Sequence, residues 1–390
     1  MGHQMDLEDS EEERAFRNEV RAWLRANTPR PALPSTGTRE GFEAHRAWEQ
    51  ALSLAGYGAI GWPKEYGGRG AGAVMQAIFE EEYLLADGPE RITVVGQKLM
   101  GPTLMAHGTP EQRGRWLPGI LSAEVIWSQG FSEPDAGSDL AGLKTSAVRD
   151  GDHLVLNGQK IWTSYGAFAD WMFALVRTDP AAERHGGITF LAVDMATEGV
   201  EARPITQIDG HAGFAEVFFT GARVPMVNVV GEVGGGWTVA MTTLAAEREA
   251  PARPAARYLR DIERLAAAAR DLDLQEDAVV LDRIGSLLVR AHAYRAHTQR
   301  TLTRLARGDS LGAEASVSKL LWSELERDLF ESGRDLLGPY GQVLTEDSPV
   351  EDPMEWNSRY WFARAATIYA GTSEIQRNVV AERLLGLPKG

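Results

Sequence analysis

Cysteine is absent from this chain of 390 residues. Its absence excludes disulfides, thiolate catalysis and metal sites built on cysteine. Histidine offers little in its place, because the eight histidines form no HExxH pattern. His292 and His297 are five positions apart, which does not place them on one face of a helix. We therefore expect no metal site.

Positive charge is also scarce. The chain has 40 lysines and arginines against 55 aspartates and glutamates, a formal net charge of −15. Such a balance argues against binding to the phosphate backbone of a nucleic acid. No apolar run reaches the roughly 18 residues that span a bilayer, and the first residues do not resemble a signal peptide. We expect a cytoplasmic protein that binds neither nucleic acid nor membrane.

Three zones of different composition follow one another, and we predict them as domains covering residues 1–125, 126–235 and 236–390. The first zone is helical, with a capping box from Ser10 to Glu13 at its start. The third is helical again, with long predicted helices over 277–307 and 313–337. Because helices and strands are segregated rather than alternating, the sequence predicts an α+β fold.

The middle zone consists of short apolar runs separated by turn residues. Asp150-Gly151 and Asn157-Gly158 are hairpin dipeptides on either side of a short apolar run. The stretches WMFALVRT, GITFLAVDM and EVFFTGARVP follow as predicted strands. These runs predict a β-domain of about 110 residues.

Two familiar motifs are rejected. Residues 68–73, GRGAGA, resemble a GxGxxA nucleotide fingerprint, but no strand precedes them, so a turn that opens a helix around 78–85 is the better interpretation. Around Ser164 the sequence WTSYG lacks the first glycine of a GxSxG elbow, which argues against a serine hydrolase built on this residue.

The stretch FSEPDAGSDLAG, residues 131–142, contains two small hydroxyls, Ser132 and Ser138, and a glycine between them. Backbone N–H groups at Gly137 and Ser138 could hold a phosphate, although for this stretch alone a plain polar loop is the favoured interpretation. The following NGQKIWTSYGAFADW places Trp162 and Ser164 after a hairpin. An aromatic face beside hydroxyls suits a flat conjugated ring.

A second informative stretch, IYAGTSEIQRNVVAERLLG, covers residues 368–386. It predicts a helix that ends at Tyr369, an Ala-Gly corner, and a second helix that starts at Thr372–Ser373. Ser373 and Gln376 fit a capping box. The residue at the corner is Ala370, whose side chain carries no reactive group.

Together with TLAAER, which ends at Arg248, and with residues 61–68 and 101–124, these stretches resemble the acyl-CoA dehydrogenase family over nearly the whole chain. The resemblance implies an N-terminal all-α domain, a β-barrel-like middle domain and a C-terminal domain of the four-helix-bundle type. It also implies FAD as the cofactor and an acyl thioester of CoA or of a carrier protein as the substrate. The enzyme would remove the α-proton and a β-hydride and pass electrons to electron-transfer flavoprotein.

The resemblance assigns roles to individual residues. The backbone N–H of Ala370 would hold the thioester carbonyl, and Tyr369, Arg248 and Ser138 would contact the substrate. Contacts to the cofactor would come from Phe131, Ser132, Gly137, Ser138, Trp162, Ser164, Arg270, Thr372 and Glu374.

The catalytic base departs from the commonest pattern of the family. Many members carry a glutamate at the corner, where this chain has Ala370. A smaller group carries it on a much earlier helix, and TLAAER matches that group at Glu247. Glu247 could instead be a solvated helix residue paired with Arg248. Glu374 is another acid near the corner, on the side that faces the cofactor in the family.

A second departure concerns assembly. Many members have an Arg-x-x-Phe-Gly segment that reaches the FAD of a neighbouring subunit, and this chain has Arg270-Asp-Leu-Asp-Leu at the comparable point. We expect a homodimer or a homotetramer, and the missing Phe-Gly leaves a heteromer with a related chain open as the alternative. The alternative functions are an acyl-CoA oxidase, a dehydrogenase of carrier-linked acyl chains, and a non-catalytic flavoprotein subunit.

Overall fold

The computed structural model describes residues 9–249, 253–309, 311–342 and 353–388. Contacts divide the chain into two compact units. We call Met1–Thr28, Gly72–Gly88 and Pro251–Gly390 the helical unit, and Pro29–Ala71 with Pro89–Ala250 the sheet unit. The domain limits predicted from composition stay a prediction.

The described helices are α1 (Glu11–Asn27), α2 (Arg39–Leu54), α3 (Ala73–Leu85), α4 (Gly101–His107), α5 (Pro110–Ser122), α6 (Gly236–Glu249), α7 (Ala255–Asp271), α8 (Ala278–Ala306), α9 (Glu314–Leu337), α10 (Pro353–Ala366) and α11 (Ser373–Val379). The described strands are β1 (Trp127–Gly130), β2 (Ser146–Asp150), β3 (His153–Ser164), β4 (Trp171–Arg177), β5 (Ile188–Asp194), β6 (Val200–Ile205) and β7 (Phe214–Pro225).

Helix starts in the helical unit follow their capping residues. The Ser10 hydroxyl accepts from the Glu13 N–H at 3.2 Å, and the Glu13 carboxylate accepts from the Ser10 N–H at 2.7 Å, which confirms the predicted capping box. Helix α8 begins after Asp277, whose carboxylate accepts from two backbone N–H groups of the first turn. These contacts satisfy donors that have no partner within a helix.

The core of the helical unit lies among α7, α8, α9 and α10. Tyr258, Tyr294, Leu329, Phe330 and Trp356 are buried there in one cluster. The rings of Tyr258 and Tyr294 meet edge to face with centroids 5.6 Å apart. The burial of such large side chains stabilises the packing of these four helices.

The sheet unit is built on one seven-stranded sheet with the order β1-β4-β2-β3-β7-β6, and β5 pairs with β4. The longest pairing is antiparallel, between β3 and β7, and runs from His153 opposite Pro225 to Ser164 opposite Phe214. The three predicted strands are confirmed as β4, β5 and β7. Strand β6 was not predicted, since its residues are largely exposed and lack apolar alternation.

Only one of the two predicted hairpin turns exists in the sheet. Gly151 has a φ of 62° and turns the chain between β2 and β3, as predicted. The prediction of a hairpin turn at Asn157-Gly158 was wrong, because both residues lie inside β3, where its register against β7 shifts. A Cβ on Gly158 would stand 2.7 Å from the Thr145 Cα, so this glycine permits a close approach of two backbones rather than a turn.

The glycine-rich segment at 68–73 leads into α3, with Gly72 at the N-cap, and a short 3₁₀ helix rather than a strand precedes it. This arrangement supports the rejection of a dinucleotide fingerprint. Among the described helices, none is both long and apolar enough to cross a bilayer.

Candidate active site

A buried ion pair anchors the loop of residues 131–142 to β3. The Lys160 ammonium donates to Glu133 Oε1 at 2.7 Å and to the Phe131 carbonyl oxygen at 3.2 Å. The Glu133 carboxylate also accepts from the backbone N–H groups of Lys144 at 2.6 Å and Thr145 at 2.9 Å. The Glu133 carboxylate and the Lys160 ammonium therefore hold the start of the loop, at Phe131 and Glu133, and the residues just after its end, Lys144 and Thr145.

The environment of this pair shifts both protonation equilibria. Burial lowers the pKa of Lys160 to about 8, although the charge of Glu133 opposes the shift. Burial alone would raise the pKa of Glu133, but Lys160 and the N–H donors outweigh it and lower that pKa. Both groups are accordingly charged at neutral pH, as a buried pair held by several hydrogen bonds can be.

The loop residues that the sequence singled out lie beside this anchor. The Ser132 carbonyl accepts from the Ile161 N–H at 3.0 Å, so the loop runs directly against β3. Gly137 and Ser138 are exposed, and nothing lies within 4 Å of a Cβ built on Gly137. Their backbone N–H groups make no hydrogen bond within the described residues. Free adjacent N–H groups in an open loop are suited to an anion such as a phosphate.

Trp162 stands out on β3. Its φ is 58°, in the left-handed region, and its register against β7 is irregular between Lys160 and Thr163. The side chain is 57% exposed, although a large indole is usually covered. It meets Phe214 edge to face at 6.2 Å. The irregular backbone thus presents an aromatic face outward, two residues before the half-buried Ser164 and three before the half-buried Tyr165.

The predicted Ala-Gly corner lies in the helical unit after α10. Ala370 has a φ of 53° and Gly371 a φ of 84°, so the chain turns through two left-handed residues. The Ala370 carbonyl accepts from Gln376 Nε2 at 2.9 Å. The Ala370 N–H makes no hydrogen bond within the described residues, and the residue is exposed. This N–H is therefore available to a ligand oxygen.

The helix after the corner differs from the prediction in its cap. Thr372, not Ser373, is the N-cap of α11, and its hydroxyl accepts from the Ile375 N–H at 3.2 Å. The predicted capping box of Ser373 and Gln376 is wrong because the Gln376 amide bonds to Ala370 instead. Helix α10 also ends three residues before Tyr369, at Ala366. Glu374 is exposed, and hydrogen bonds from its own N–H and from the Thr372 hydroxyl lower its pKa.

The remaining site residues are placed less fully. Glu247 and Arg248 lie in the last turn of α6, and their side chains are outside the described residues. Arg270 is exposed in the last turn of α7 and makes no side-chain hydrogen bond within the described residues. The structure thus joins the loop to β3 and forms the corner, while the base assignment stays a prediction.

Sequence reasoning missed three charged residues of these sites: Glu133, Lys160 and Arg253. Arg253 donates to the Tyr369 hydroxyl at 2.5 Å. Only Lys160 carried a usable signal, because it continues the alternation of the buried Leu154 and Leu156 along β3 and so falls on the inner face.

Profiles of one protein family match nearly the whole chain. The N-terminal, middle and C-terminal domains of acyl-CoA dehydrogenase match residues 10–124, 128–222 and 234–385. The chain belongs to the acyl-CoA dehydrogenase family. The family assignment and the predicted fold class, with helical N- and C-terminal domains around a β-domain, are confirmed.

Among curated relatives, the acyl-CoA dehydrogenase IpdE1 of Mycobacterium tuberculosis is 42% identical, over 98% of this chain and 99% of that protein. IpdE1 of Mycolicibacterium smegmatis is 41% identical, over 96% and 97%. Among solved structures, the Tcur3481–Tcur3483 steroid acyl-CoA dehydrogenase superposes with a TM-score of 0.87 at 33% identity, covering 99% of this chain and 100% of that one. The ChsE4–ChsE5 complex of Mycobacterium tuberculosis gives 0.84 at 29% identity, covering 99% and 100%.

The chain is therefore an oxidoreductase that dehydrogenates acyl thioesters, and FAD is its cofactor, as in the members of this family. The residues present fit that group. The outward indole of Trp162 offers a face for a flat ring, and the free N–H groups of Gly137 and Ser138 suit a pyrophosphate.

Proposed function

We propose that the enzyme removes the α-proton of an acyl-CoA thioester through Glu247, while the Ala370 N–H holds the thioester carbonyl. The observation that carries this proposal is the Ala370 N–H, which is exposed and makes no hydrogen bond within the described residues. A donor aimed at a carbonyl oxygen stabilises the negative charge that develops there when the α-proton leaves. Bound FAD supplies the acceptor for the β-hydride.

The small side chain at position 370 supports the assignment of the base. A glutamate at this corner would occupy the space beside the thioester, and alanine leaves it open to a carboxylate from elsewhere in the chain. Glu247 lies at the end of α6, as TLAAER predicts. Arg248, Tyr369 and Ser138 are proposed to contact the substrate.

The proposed cofactor contacts are those that the sequence indicated. Phe131, Ser132, Gly137, Ser138, Trp162 and Ser164 lie on the loop and strand fastened by Lys160 and Glu133. Arg270, Thr372 and Glu374 are proposed contacts from the helical unit. Support for Thr372 and Glu374 comes from their position directly after the corner.

We propose a bulky, ring-containing acyl group as the substrate. Support comes from the solved relative described as a steroid acyl-CoA dehydrogenase, which is 33% identical over 99% of this chain. Electron-transfer flavoprotein is the proposed acceptor of the electrons, and a cytoplasmic location stays a prediction.

A heteromer with a related chain is the assembly that we favour over a homodimer or homotetramer. The ChsE4–ChsE5 relative is a complex of two chains, and the Phe-Gly of the usual segment is missing after Arg270. Mass measurement of the intact complex, purified from the native host through a tag on this chain, distinguishes two different chains from copies of one.

Anaerobic reduction of the purified, FAD-loaded protein tests the proposed activity. The panel contains the CoA thioester of a steroid carboxylic acid beside butyryl-, isovaleryl-, octanoyl- and palmitoyl-CoA. We expect the steroid ester to bleach the flavin absorbance fastest. Bleaching by none of the esters would contradict the dehydrogenase, and oxygen consumption during turnover would indicate an oxidase instead. Reduction by a carrier-protein thioester but not by its CoA ester would indicate the carrier-linked alternative.

A further inference from the structure

The Tyr369 hydroxyl is held by a cation within the helical unit. Arg253 donates to this hydroxyl at 2.5 Å and to Glu326 Oε2 at 2.6 Å. Glu326 is buried and also accepts from the Tyr258 hydroxyl at 3.1 Å. The Arg253 carbonyl accepts from the Tyr294 hydroxyl at 2.9 Å. Arg253 is thus held by hydrogen bonds at both its backbone and its side chain.

Aromatic rings and positive charge surround Tyr369. The ring centroids of Trp322 and Phe362 lie 6.0 and 6.1 Å from that of Tyr369. Lys319 Nζ lies 5.3 Å from the Tyr369 ring centroid, and the Arg253 guanidinium carbon lies 6.0 Å from it. Positive charge near a phenol makes its hydroxyl a stronger hydrogen-bond donor.

The hydrogen bond from Arg253 to Tyr369 does not use the proton of the Tyr369 hydroxyl. A guanidinium only donates, so the Tyr369 oxygen is the acceptor, and its own proton must point elsewhere. The hydroxyl has no other hydrogen bond within the described residues. Burial raises the pKa of Tyr369 above its ordinary value of 10.0, with Arg253 opposing part of the shift, so the proton is present at neutral pH.

We propose that the Tyr369 hydroxyl, polarised by Arg253, is a specificity determinant that donates a hydrogen bond to an oxygen on the acyl group. The preferred thioester then carries a keto oxygen, or another accepting oxygen, on its ring system rather than a plain hydrocarbon. The inference rests on the proposed function, because it places Tyr369 at the acyl group. Trp322 and Phe362 supply the flat apolar surface beside that polar contact.

Matched CoA esters test the inference. The plain ester is 3-cyclohexylpropanoyl-CoA, and the others carry a keto oxygen on ring carbon 2, 3 or 4. For the wild-type enzyme, we expect kcat/KM for at least one keto ester to exceed that of the plain ester by roughly tenfold or more. Tyr369→Phe should lower kcat/KM for that keto ester roughly 10- to 100-fold and for the plain ester by less than about threefold.

Three further variants distinguish a loss of recognition from a general loss of activity. Tyr360→Phe, which removes a hydroxyl from a half-buried ring of α10 outside this cluster, should leave both values unchanged. Arg253→Lys should keep part of the preference, and Arg253→Met should lose it. A wild-type enzyme without preference, or an equal fall for both esters in Tyr369→Phe, would overturn the inference.

The same esters distinguish this inference from the proposed function. Their dissociation constants, measured from the change in flavin absorbance on binding, need no turnover. Bleaching of the flavin by the plain ester with equal affinity for all four esters would refute the role of Tyr369 alone. No bleaching by any ester, with tighter binding of a keto ester that Tyr369→Phe abolishes, would refute the dehydrogenase and leave the recognition in place.

Discussion

The Lys160 ammonium and the Glu133 carboxylate form a buried ion pair at 2.7 Å, 27 residues apart in the chain. This pair fastens the loop that carries Ser132, Gly137 and Ser138 to the strand that carries Trp162. Loop and strand hold the proposed cofactor contacts of the sheet unit, so the pair positions them without touching the reacting atoms itself.

Removing one partner of the pair should loosen the loop and leave the other charge buried. We expect Lys160→Met to lower the free energy of unfolding by about 3–5 kcal/mol, as for other buried pairs. We also expect it to weaken FAD binding by the apoprotein at least about tenfold. Chemical denaturation and flavin fluorescence titration measure the two effects.

Two controls show whether the pair itself is responsible. The double variant Glu133→Gln with Lys160→Met leaves no isolated charge and should be more stable than either single variant. Glu201→Gln, which breaks the exposed pair with Arg203, should change neither stability nor FAD affinity. Normal FAD affinity in Lys160→Met would show that the loop is held by other contacts.

The lowered pKa of Lys160 predicts a dependence of stability on pH. Between about 8, its pKa in the fold, and the ordinary value of 10.5, the unfolded chain binds a proton at this residue that the folded chain does not. Stability therefore rises with pH across this window, by at most about 3 kcal/mol for this group. The measurement is the unfolding free energy of the wild type minus that of Lys160→Met from pH 7.5 to 10.5. A difference that falls with pH would contradict the assigned pKa.

Gly158 is predicted to be irreplaceable for a steric reason. Its φ is 147°, and a Cβ would stand 2.7 Å from the Thr145 Cα, a backbone atom that cannot move aside cheaply. We expect Gly158→Ala to lower the unfolding free energy by about 2 kcal/mol or more and to disturb the neighbouring loop. Gly114→Ala is the control, since Gly114 is exposed inside α5 with nothing near a Cβ, and should stabilise by up to about 1 kcal/mol. Equal melting temperatures for the two variants would contradict this interpretation.

Elements whose signals lie within a few neighbouring residues were predictable from the sequence. The helical pattern predicted a helix over 277–307, and α8 covers Ala278–Ala306, with Asp277 as its capping residue. Asn157-Gly158 misled because a glycine with positive φ serves a turn and a close backbone approach alike. The difference depends on Thr145, which only the folded sheet brings beside Gly158.

The site was predictable where its chemistry is local and not where it depends on distant partners. The corner at Ala370 and Gly371 was predicted from the sequence. It depends on two residues that are adjacent in the chain, and both have positive φ in the structure. Its cap was misassigned to Ser373, since the choice of Thr372 depends on where Gln376 points. Arg253 and Tyr369 lie 116 residues apart, and no pattern in the sequence links them.

The central claim, that Glu247 takes the α-proton, is tested most directly by anaerobic flavin bleaching in Glu247→Gln. The variant should bind FAD as the wild type does, because glutamine keeps the size of the side chain. Bleaching by the best acyl-CoA ester should slow by a factor of about 100 or more, since the amide cannot accept the proton. Glu249→Gln, two residues further along the same helix, is the matched control and should bleach at the wild-type rate. Undiminished bleaching in Glu247→Gln would contradict the assignment.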